Sequence, residues 1–377
     1  MLEDIVKLPQ ARINPGLPGR DYHSQEVFEL EKERIFIRGW YCVGREEQLP
    51  QRGDFLTVEV ADEAVMLMRG HDGTVRAFAN VCRHRGTKLL EEPAGHLKSN
   101  TVVCPYHAWA YSTEGRLVGT PNVQPTDGLD RDAYGLHPIA LESWDGFLFL
   151  NLGAGASPLR EGLEKDPDEP LAYQRYRLDE LRIGRSVTYE VEANWKIILD
   201  NYNECLHCPT VHPELVKIVP LYRRGIVMDP NRTDGGVTLD EGLYTFTLDG
   251  TSSLPQLPNL EEIDRRTYYG YAVFPNLMVN LFSTGAMAYT LLPRSASHTT
   301  VVSDYLFRPE TIDADGFDPS DVVDFLDLVS RQDWVVCERA QRGITSRFFD
   351  RGVYPPQDAL LHRFAERYLA ERDRPLA

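Results

Sequence analysis

Two short stretches of the chain decide how it is built: CRHRG at 82–86 and CPYHAW at 104–109. The first has the spacing Cys-x-His and the second Cys-x2-His, and each follows a predicted strand beside a glycine or a proline. Thiolates and imidazoles that recur together in two tight loops are typical ligands of a soft or borderline metal. The four candidate ligands are Cys82, His84, Cys104 and His107. We therefore predict that the two loops face each other and bind one metal centre.

Two metal centres fit this ligand set. One is a structural zinc ion, and the other is a Rieske-type [2Fe–2S] cluster, in which two histidines replace two cysteines on one iron. Zinc fingers usually pair like ligands as C-x2-4-C and H-x3-5-H, whereas each loop here supplies one cysteine and one histidine. The mixed pairing favours the Rieske cluster over zinc and over core residues that bind no metal.

The sequence around these loops is typical of a β-rich domain. The predicted strands in this part of the chain are 54–60, 64–69, 75–82 and 146–153, and a turn at 71–73 joins the second to the third. A helix capped by Ser24 is predicted over 24–38, and the polar, proline-bearing stretch 156–170 is predicted to separate two domains. The predicted organisation is an N-terminal segment 1–37 packed on the second domain, a β-rich [2Fe–2S] domain 38–155, and a second domain 156–377.

The second half has a mixed pattern. The predicted elements are a strand over 183–192, a helix over 194–208 that ends near Pro209, strands between 236 and 308 with 268–294 as their core, and a helix over 319–342. This order indicates an α+β fold in which an antiparallel sheet surrounds helices.

A second group of candidate ligands lies in NWKIILDNYNECLHCPTVH, residues 194–212. Glu204 and His207 are three residues apart and would share one face of the predicted helix. Pro209 would break that helix, so that His207 and His212 can converge. Two histidines and one carboxylate form the facial triad of non-haem Fe(II) oxygenases.

The carboxylate of such a triad must come from elsewhere in the chain. The last long helix contains QDWVVCERAQRG, residues 332–343. An acid beside the apolar residues of this stretch is costly unless it binds a cation. We predict that Asp333 is the third ligand, with Glu338 as its competitor.

Zinc is again a rival, because Cys205, Cys208, His207 and His212 offer four soft ligands within eight residues. The crowded spacing and the lack of a role for Asp333 argue against it.

All six cysteines are expected to be reduced, since clustered thiols in an intracellular chain are metal candidates before they are disulfides. Cys42 and Cys337 are expected to be small buried apolar residues.

Composition excludes some partners. The chain has 40 Lys+Arg against 57 Asp+Glu, a formal net charge of −17, which disfavours binding to nucleic acid or to an anionic membrane. The N-terminus lacks the basic and apolar regions of a secretion signal, and no segment has the length and apolarity of a membrane span. A cytoplasmic protein is therefore expected.

Both motifs resemble those of the Rieske non-haem iron oxygenases, the family of ring-hydroxylating dioxygenase α-subunits. The family's Rieske loops correspond to 82–86 and 104–109, and Trp109 and Tyr111 match aromatic residues near the cluster. Its motif acid-x2-His-x4-His after Asn-Trp-Lys matches Glu204, His207 and His212. Asp333 matches the distal ligand. The resemblance covers about 20–370.

The resemblance implies a helix-grip catalytic domain, a [2Fe–2S] Rieske cluster, a mononuclear non-haem Fe(II) and O2 as co-substrate. It also implies a homotrimer in which Glu204 bridges His207 and the partner subunit's His107 for electron transfer. Many members have Asp where this chain has Glu204. With a glutamate at this position, the chain resembles the homotrimeric members that oxidise carnitine or glycine betaine.

The implied function is that of a terminal oxygenase acting on a small quaternary ammonium or aromatic compound. The chain has no G-x-G-x-x-G fingerprint after a strand, so NAD(P)H oxidation is assigned to a separate flavin/iron–sulfur reductase, with or without a ferredoxin. A Rieske electron carrier and a structural zinc protein are the alternatives. The aromatic candidates for the substrate pocket are Tyr268, Tyr269, Tyr271, Phe274, Phe282 and Tyr289.

Overall fold

The computed structural model of the chain describes residues 13–121, 123–163, 173–232 and 234–374. They form two compact units: Phe36–Glu161 make up one, and the described residues on either side of that range make up the other. Residues 1–12 of the predicted N-terminal segment and 164–170 of the predicted boundary lie outside the described residues. Every helix in the described part of the chain is too short or too polar to cross a lipid bilayer.

The described chain begins with strand β1 (Asn14–Pro18) and helix α1 (Gln25–Glu31). Ser24 caps this helix as predicted, because its Oγ accepts a hydrogen bond from the Val27 N–H at 3.4 Å. The helix is shorter than the predicted 24–38, since the backbone passes into a wider π-helical turn after Glu31. That turn buries Ile35, which is 1% exposed.

The unit Phe36–Glu161 consists mainly of short antiparallel strands. They are β2 (Tyr41–Arg45), β3 (Asp54–Val60), β4 (Glu63–Arg69), β5 (Val75–Ala79), β6 (Ala94–His96), β7 (Thr101–Val103), β8 (Ala110–Ser112), β9 (Leu117–Gly119), β10 (Pro138–Trp144) and β11 (Phe147–Asn151). One sheet has the order β2-β11-β10-β5-β4-β3-β6, and a smaller one has the order β7-β8-β9. The predicted turn between β4 and β5 is present, with Gly73 at a φ of +85°, a conformation that glycine adopts without strain.

The other unit combines a six-stranded sheet with helices. After Glu161 its strands are β12 (Arg182–Val191), β13 (Val237–Thr238), β14 (Thr267–Val273), β15 (Leu277–Phe282), β16 (Gly285–Ser295), β17 (His298–Phe307) and β18 (Arg351–Tyr354). Its helices in this part of the chain are α3 (Tyr173–Tyr176), α4 (Trp195–Tyr202), α5 (Cys208–Val211), α6 (Leu215–Ile218), α7 (Pro309–Ile312), α8 (Ser320–Ile344) and α9 (Ala359–Arg372). Helix α2 (Leu159–Leu163) begins just before the boundary between the units. The sheet is antiparallel with the order β12-β17-β16-β15-β14-β13, and β18 pairs with β1. The predicted α+β class is confirmed.

The start of α4 is fixed by the Asn-Trp-Lys motif. Asn194 caps the helix by accepting the Lys196 N–H at 3.0 Å. Lys196 Nζ lies 2.5 Å from Glu31 Oε1, and neither side chain is exposed. Trp195 Nε1 donates to the other Glu31 oxygen at 2.8 Å, and Tyr368 Oη donates to Oε1 at 2.7 Å. A buried ion pair satisfied by two further hydrogen bonds avoids an uncompensated charge, so these contacts hold α4 against α1 and α9.

Candidate active site

The first ligand candidates lie in two loops of similar construction. Cys82 and His84 follow β5, and Cys104 and His107 connect β7 to β8. In the first loop the Gly86 N–H donates to the Cys82 carbonyl at 3.0 Å. The second loop is closed in the same way, from Ala108 N–H to the Cys104 carbonyl at 3.0 Å. Each loop therefore wraps back over its own cysteine and histidine.

The sulfur and nitrogen donors differ in burial. Cys82 and Cys104 are 3% and 2% exposed and belong to the core of this unit, whereas His84 is exposed and His107 is half-buried. The two imidazole rings lie 4.7 Å apart, centroid to centroid. The donors thus form a buried sulfur pair with a histidine pair at the rim, as a Rieske cluster requires when one iron takes the sulfurs and the other the rings.

The surroundings of the Cys104 sulfur favour a thiolate. Burial raises the pKa of the Cys104 thiol, but hydrogen bonds from the backbone amides of Tyr106 and His107 outweigh it, and the pKa lies below its ordinary value. Tyr111 Oη lies 3.3 Å from Cys82 Sγ, and Trp109 stacks on the His84 ring at 4.7 Å. Both aromatic residues therefore lie where the resemblance implied, and the donor set fits a [2Fe–2S] cluster.

The second group of candidates lies on a loop rather than on a helix. The prediction that Glu204 and His207 share a helix face is wrong, because α4 ends at Tyr202. The Asn203 side chain donates to the Leu199 carbonyl at 2.9 Å and caps the helix end. Polar side chains of this kind compete with the backbone hydrogen bonds that would continue a helix. Pro209 lies in the first turn of α5 and starts a helix instead of ending one, a position where proline is well tolerated.

Glu204 instead organises the loop around His207. Its carboxylate accepts hydrogen bonds from the backbone N–H groups of Leu206 and His207. Its Oε1 atom lies 2.5 Å from His207 Nδ1. These contacts fix the direction of the ring, so that Nε2 points away from Glu204.

Three donor atoms converge beside this loop. Asp333 Oδ1 lies 2.9 Å from His212 Nε2 and 3.3 Å from His207 Nε2. The outer nitrogen of His212 is held in turn, since Nδ1 lies 2.8 Å from Gln332 Oε1. Metal-ligating histidines typically have their other ring nitrogen fixed in this way, and two imidazoles with one carboxylate fit a mononuclear Fe(II).

The charges at this point are those of a cation site. Burial lowers the pKa of His207, but hydrogen bonds to Asp333 and Glu204 outweigh it and raise the pKa to about 9. Burial raises the pKa of Asp333, but the two histidines lower it below its ordinary value. The carboxylates of Asp333 and Glu204 therefore favour a positive charge at this point, which a divalent cation would supply.

The structure separates the two acids considered for the third ligand. Both lie on α8, but only the Asp333 carboxylate is near the histidines, whereas Glu338 Oε1 accepts a hydrogen bond from the Glu192 N–H at 3.3 Å. Residues five apart on a helix point about 140° apart, so α8 can direct only one of them toward α4.

Cys205 and Cys208 form a disulfide. The prediction that all six cysteines are reduced is therefore wrong for this pair, since the loop brings their Cα atoms to 5.0 Å, within disulfide range. Because the two sulfurs are bonded to each other, they cannot serve as two thiolate ligands of zinc. The remaining four cysteines, Cys42, Cys82, Cys104 and Cys337, form no disulfide and are buried.

A cavity of about 120 Å³ lies against the three converging donors. Aromatic and methionine side chains make up much of its wall: Tyr202, Tyr222, Phe246, Tyr268, Tyr289, Trp334, Met228, Met278 and Met287. Among the described residues that line it, none is a lysine or an arginine.

Only two of the six aromatic candidates, Tyr268 and Tyr289, line this cavity. Tyr269 is on the opposite face of β14, where its Oη donates to Asp264 at 2.9 Å, because side chains alternate along a strand. Tyr271, Phe274 and Phe282 are likewise absent from the described lining. The same alternation could have identified Met278 and Asn280 on β15 and Met287 on β16. Tyr222 and Phe246 lie outside these strands, and no sequence signal marked them.

Donors that fit an iron–sulfur cluster in one unit, and donors that fit a mononuclear iron beside an aromatic cavity in the other, are the two parts that an electron-fed oxygenase needs. The chain belongs to the Rieske non-haem iron oxygenases. Residues 39–139 match the family model of the Rieske [2Fe-2S] domain, and residues 178–371 match that of the ring hydroxylating alpha subunit (catalytic domain).

Characterised relatives span most of the chain. It is 30% identical to the glycine betaine monooxygenase oxygenase subunit of Chromohalobacter salexigens, over 92% of this chain and 83% of that protein. It is 32% identical to the carnitine monooxygenase oxygenase subunit of Acinetobacter baumannii, over 91% and 90% of the two chains. A solved quaternary ammonium Rieske monooxygenase of gut microbiota superposes with a TM-score of 0.76 at 25% identity, over 96% of this chain and 97% of that one.

The predicted class, fold and cofactors are thereby confirmed. The protein is an oxygenase with a Rieske [2Fe–2S] cluster and a non-haem iron, and it uses O2 and electrons from a reductase to oxidise a small molecule. The readings as an electron carrier or a structural zinc protein are not supported.

Proposed function

We propose that Cys82, His84, Cys104 and His107 ligate the [2Fe–2S] cluster and that His207, His212 and Asp333 bind the mononuclear iron. The observation that carries the second assignment is the convergence of Asp333 Oδ1 with both Nε2 atoms, at 2.9 and 3.3 Å, on the wall of an aromatic cavity. Bound there, ferrous iron supplies the activation of O2 next to the substrate.

The surrounding residues supply position and exclusion of water. Glu204 and Gln332 fix the two imidazole rings through their outer nitrogens. Both histidines and Asp333 line the cavity, so a substrate in it lies beside the ligands. The apolar wall limits water, which protects an oxidising centre from side reactions.

We further propose that the substrate is a small quaternary ammonium compound. Tyr268 and Phe246 meet edge to face with their centroids 5.0 Å apart, and Tyr289 and Trp334 do so at 5.8 Å. Aromatic faces around a cavity whose described lining has no lysine or arginine suit a trimethylammonium group, which aromatic rings attract by cation–π contact. The carnitine and glycine betaine relatives support the same class.

The substrate class is tested by turnover with a panel of carnitine, glycine betaine, stachydrine and benzoate. With reductase and NAD(P)H present, at least one quaternary ammonium compound is expected to give oxidised product in step with O2 uptake, and benzoate is not. Replacing Tyr268 by Leu should raise KM for that compound on the order of tenfold, since a cation–π contact contributes about 0.5–2 kcal/mol.

The matched control is Tyr268→Phe, which keeps the ring face and removes only the hydroxyl that donates to Asn280 Oδ1 at 2.5 Å. Turnover of benzoate alone, or an equal rise in KM for the Leu and Phe variants, would argue against the quaternary ammonium assignment.

We also propose that the protein works as a homotrimer fed by a flavin/iron–sulfur reductase. In a head-to-tail ring, a heterologous interface closes after three copies, and the carboxylate of Glu204 would bridge His207 and the partner subunit's His107. Two exposed apolar residues support this contact: Leu206, 43% exposed, lies two residues from Glu204, and Tyr106, 59% exposed, precedes His107. A bridge through hydrogen bonds gives electrons a short path between the two imidazoles.

Replacing Glu204 by Gln is expected to leave both metal sites occupied but to lower product formation by well over tenfold. The amide keeps the size of the side chain but loses the charge that orients both rings, and loss of such an outer-shell partner costs about 10–100-fold. Product per O2 and the iron content are to be measured, with the exposed Glu241→Gln variant as the control. Near-normal turnover in Glu204→Gln, or full activity in a proven monomer, would remove the bridge from the proposal.

A further inference from the structure

A second cavity lies behind the iron site. We name it the acid cavity; it has a volume of about 380 Å³, and three carboxylate side chains line it: Asp200, Glu204 and Asp358. Its wall also includes Val353, which is 63% exposed. Much of the remaining wall is apolar, but the cavity is large enough for several water molecules beside the three carboxylates.

The acid cavity and the substrate cavity share part of their walls. Asn201, Glu204 and His207 line both. Asn201 Nδ2 lies 3.4 Å from His207 Nε2, the atom proposed to bind iron. Only this thin layer of side chains therefore separates the acid cavity from the place where O2 reacts.

Two of the three carboxyl groups are incompletely satisfied. Asp200 Oδ2 accepts a hydrogen bond from Tyr22 Oη at 2.6 Å, but its Oδ1 is buried and has no partner among the described residues. Asp358 is 6% exposed, and its Oδ1 also lacks a partner in the described part of the chain. A buried carboxylate that lacks partners is costly, so water or a proton must complete both groups.

The charges that face the cavity favour protons on these two groups. The titratable groups that interact with Asp200 or Asp358 are Tyr22, Lys196, Glu204, Cys337 and Tyr354, and His207 also lines the cavity. Lys196 lowers the pKa of Asp200, but burial outweighs it, and Lys196 Nζ is already 2.5 Å from Glu31 Oε1. Burial raises the pKa of Asp200 to about 7, and burial with the nearby Glu204 charge raises the pKa of Asp358 to about 6.

The reaction of the family consumes protons. Inserting one oxygen atom into a C–H bond follows R–H + O2 + 2 e⁻ + 2 H⁺ → R–OH + H2O, with the electrons supplied by the reductase. The wall of the substrate cavity is largely aromatic and aliphatic, so the protons need a route to the reacting oxygen.

We propose that Asp200 and Asp358 form a proton-delivery site that supplies the oxygenase reaction from the acid cavity. Each carboxylic acid gives up its proton to water at the shared wall and is reprotonated by solvent through the mouth near Val353. Glu204 and Asn201 lie at the wall that the two cavities share, where the proton leaves the acid cavity. The two aspartates release their protons to water and do not touch the substrate, so they act on the reaction indirectly. The inference relies on the iron position proposed above but not on the identity of the substrate.

The test uses Asp200→Asn and Asp358→Asn, which keep shape and remove the proton, with the exposed Asp315→Asn variant as the control. In single turnovers of fully reduced holoenzyme, so that the reductase is not limiting, the wild type is expected to slow as pH rises through about 6–7. Both variants should lose this pH dependence and form product about tenfold or more slowly, in the range of proton-transfer catalysis. Infrared spectra of the wild type should show carboxylic acid bands that disappear between pH 5 and 8, and each variant should lack one.

Unchanged pH profiles in both variants, or wild-type spectra without a protonated carboxyl, would overturn the proposal. If Asp200→Asn lost its iron, the pH profile of Asp358→Asn and the wild-type infrared spectrum would still test the proton-delivery proposal. Failure of the iron assignment is recognised separately, because Asp333→Ala would then keep its mononuclear iron.

Discussion

Replacing Asp333 by Ala is expected to abolish product formation and to empty the mononuclear iron site, while the red-brown cluster is kept. Without its carboxylate, Fe²⁺ would have only the neutral His207 and His212, which hold it far less tightly than a triad with an anionic oxygen ligand. Loss of an outer-shell partner already costs about 10–100-fold in metal affinity, so loss of a direct ligand is expected to cost more. Iron analysis and product formation are to be measured together.

The matched control for this experiment lies on the same helix. Glu338→Ala removes an acid of similar burial that accepts a hydrogen bond from Glu192 instead of facing the histidines. It is expected to retain the iron and most of the activity. If Glu338→Ala emptied the site and Asp333→Ala did not, the third ligand would have been assigned to the wrong acid.

Replacing His107 by Ala is expected to eliminate the visible and EPR signals of the Rieske cluster and, with them, all turnover. Alanine offers no electron pair to iron, and the electrons that the reaction requires enter through the cluster. The ring is only half-buried, so the chain should still fold, which far-UV circular dichroism would check.

His71→Ala is the control for that variant, since this exposed residue lies in the turn between β4 and β5 of the same unit. It should keep the Rieske spectrum and normal turnover. An intact Rieske spectrum in His107→Ala would contradict the assignment of this histidine.

Local sequence was sufficient for the parts of the site in which ligands lie close together in the chain. The cluster loops could be predicted from 82–86 and 104–109 because each donor pair lies within one tight turn, whose geometry is set by the residues in it. His207 and His212 flank the short helix α5, so the expectation that they lie close together is met, although the helix predicted through His207 is wrong. The strand pattern around them also predicted the α+β class, since alternation along strands reflects burial on one face.

Residues far apart in the chain needed the tertiary structure. Both Asp333 and Glu338 lie on α8, and only the packing of α8 against α4 determines which of them faces the histidines. Asp200 and Asp358 likewise share a cavity only because α4 and the start of α9 meet there.

The loop after α4 shows the same limit at short range. Periodicity predicted a helix through Glu204 and His207, but the Asn203 side chain and the Glu204 carboxylate bind the backbone and end it. The Cys205–Cys208 disulfide follows from that loop. The sequence by itself determined which chemical groups are available in each motif. Only the tertiary structure decided which of them meet, because a contact between distant residues depends on how whole helices and strands pack and not on the spacing of the residues along the chain.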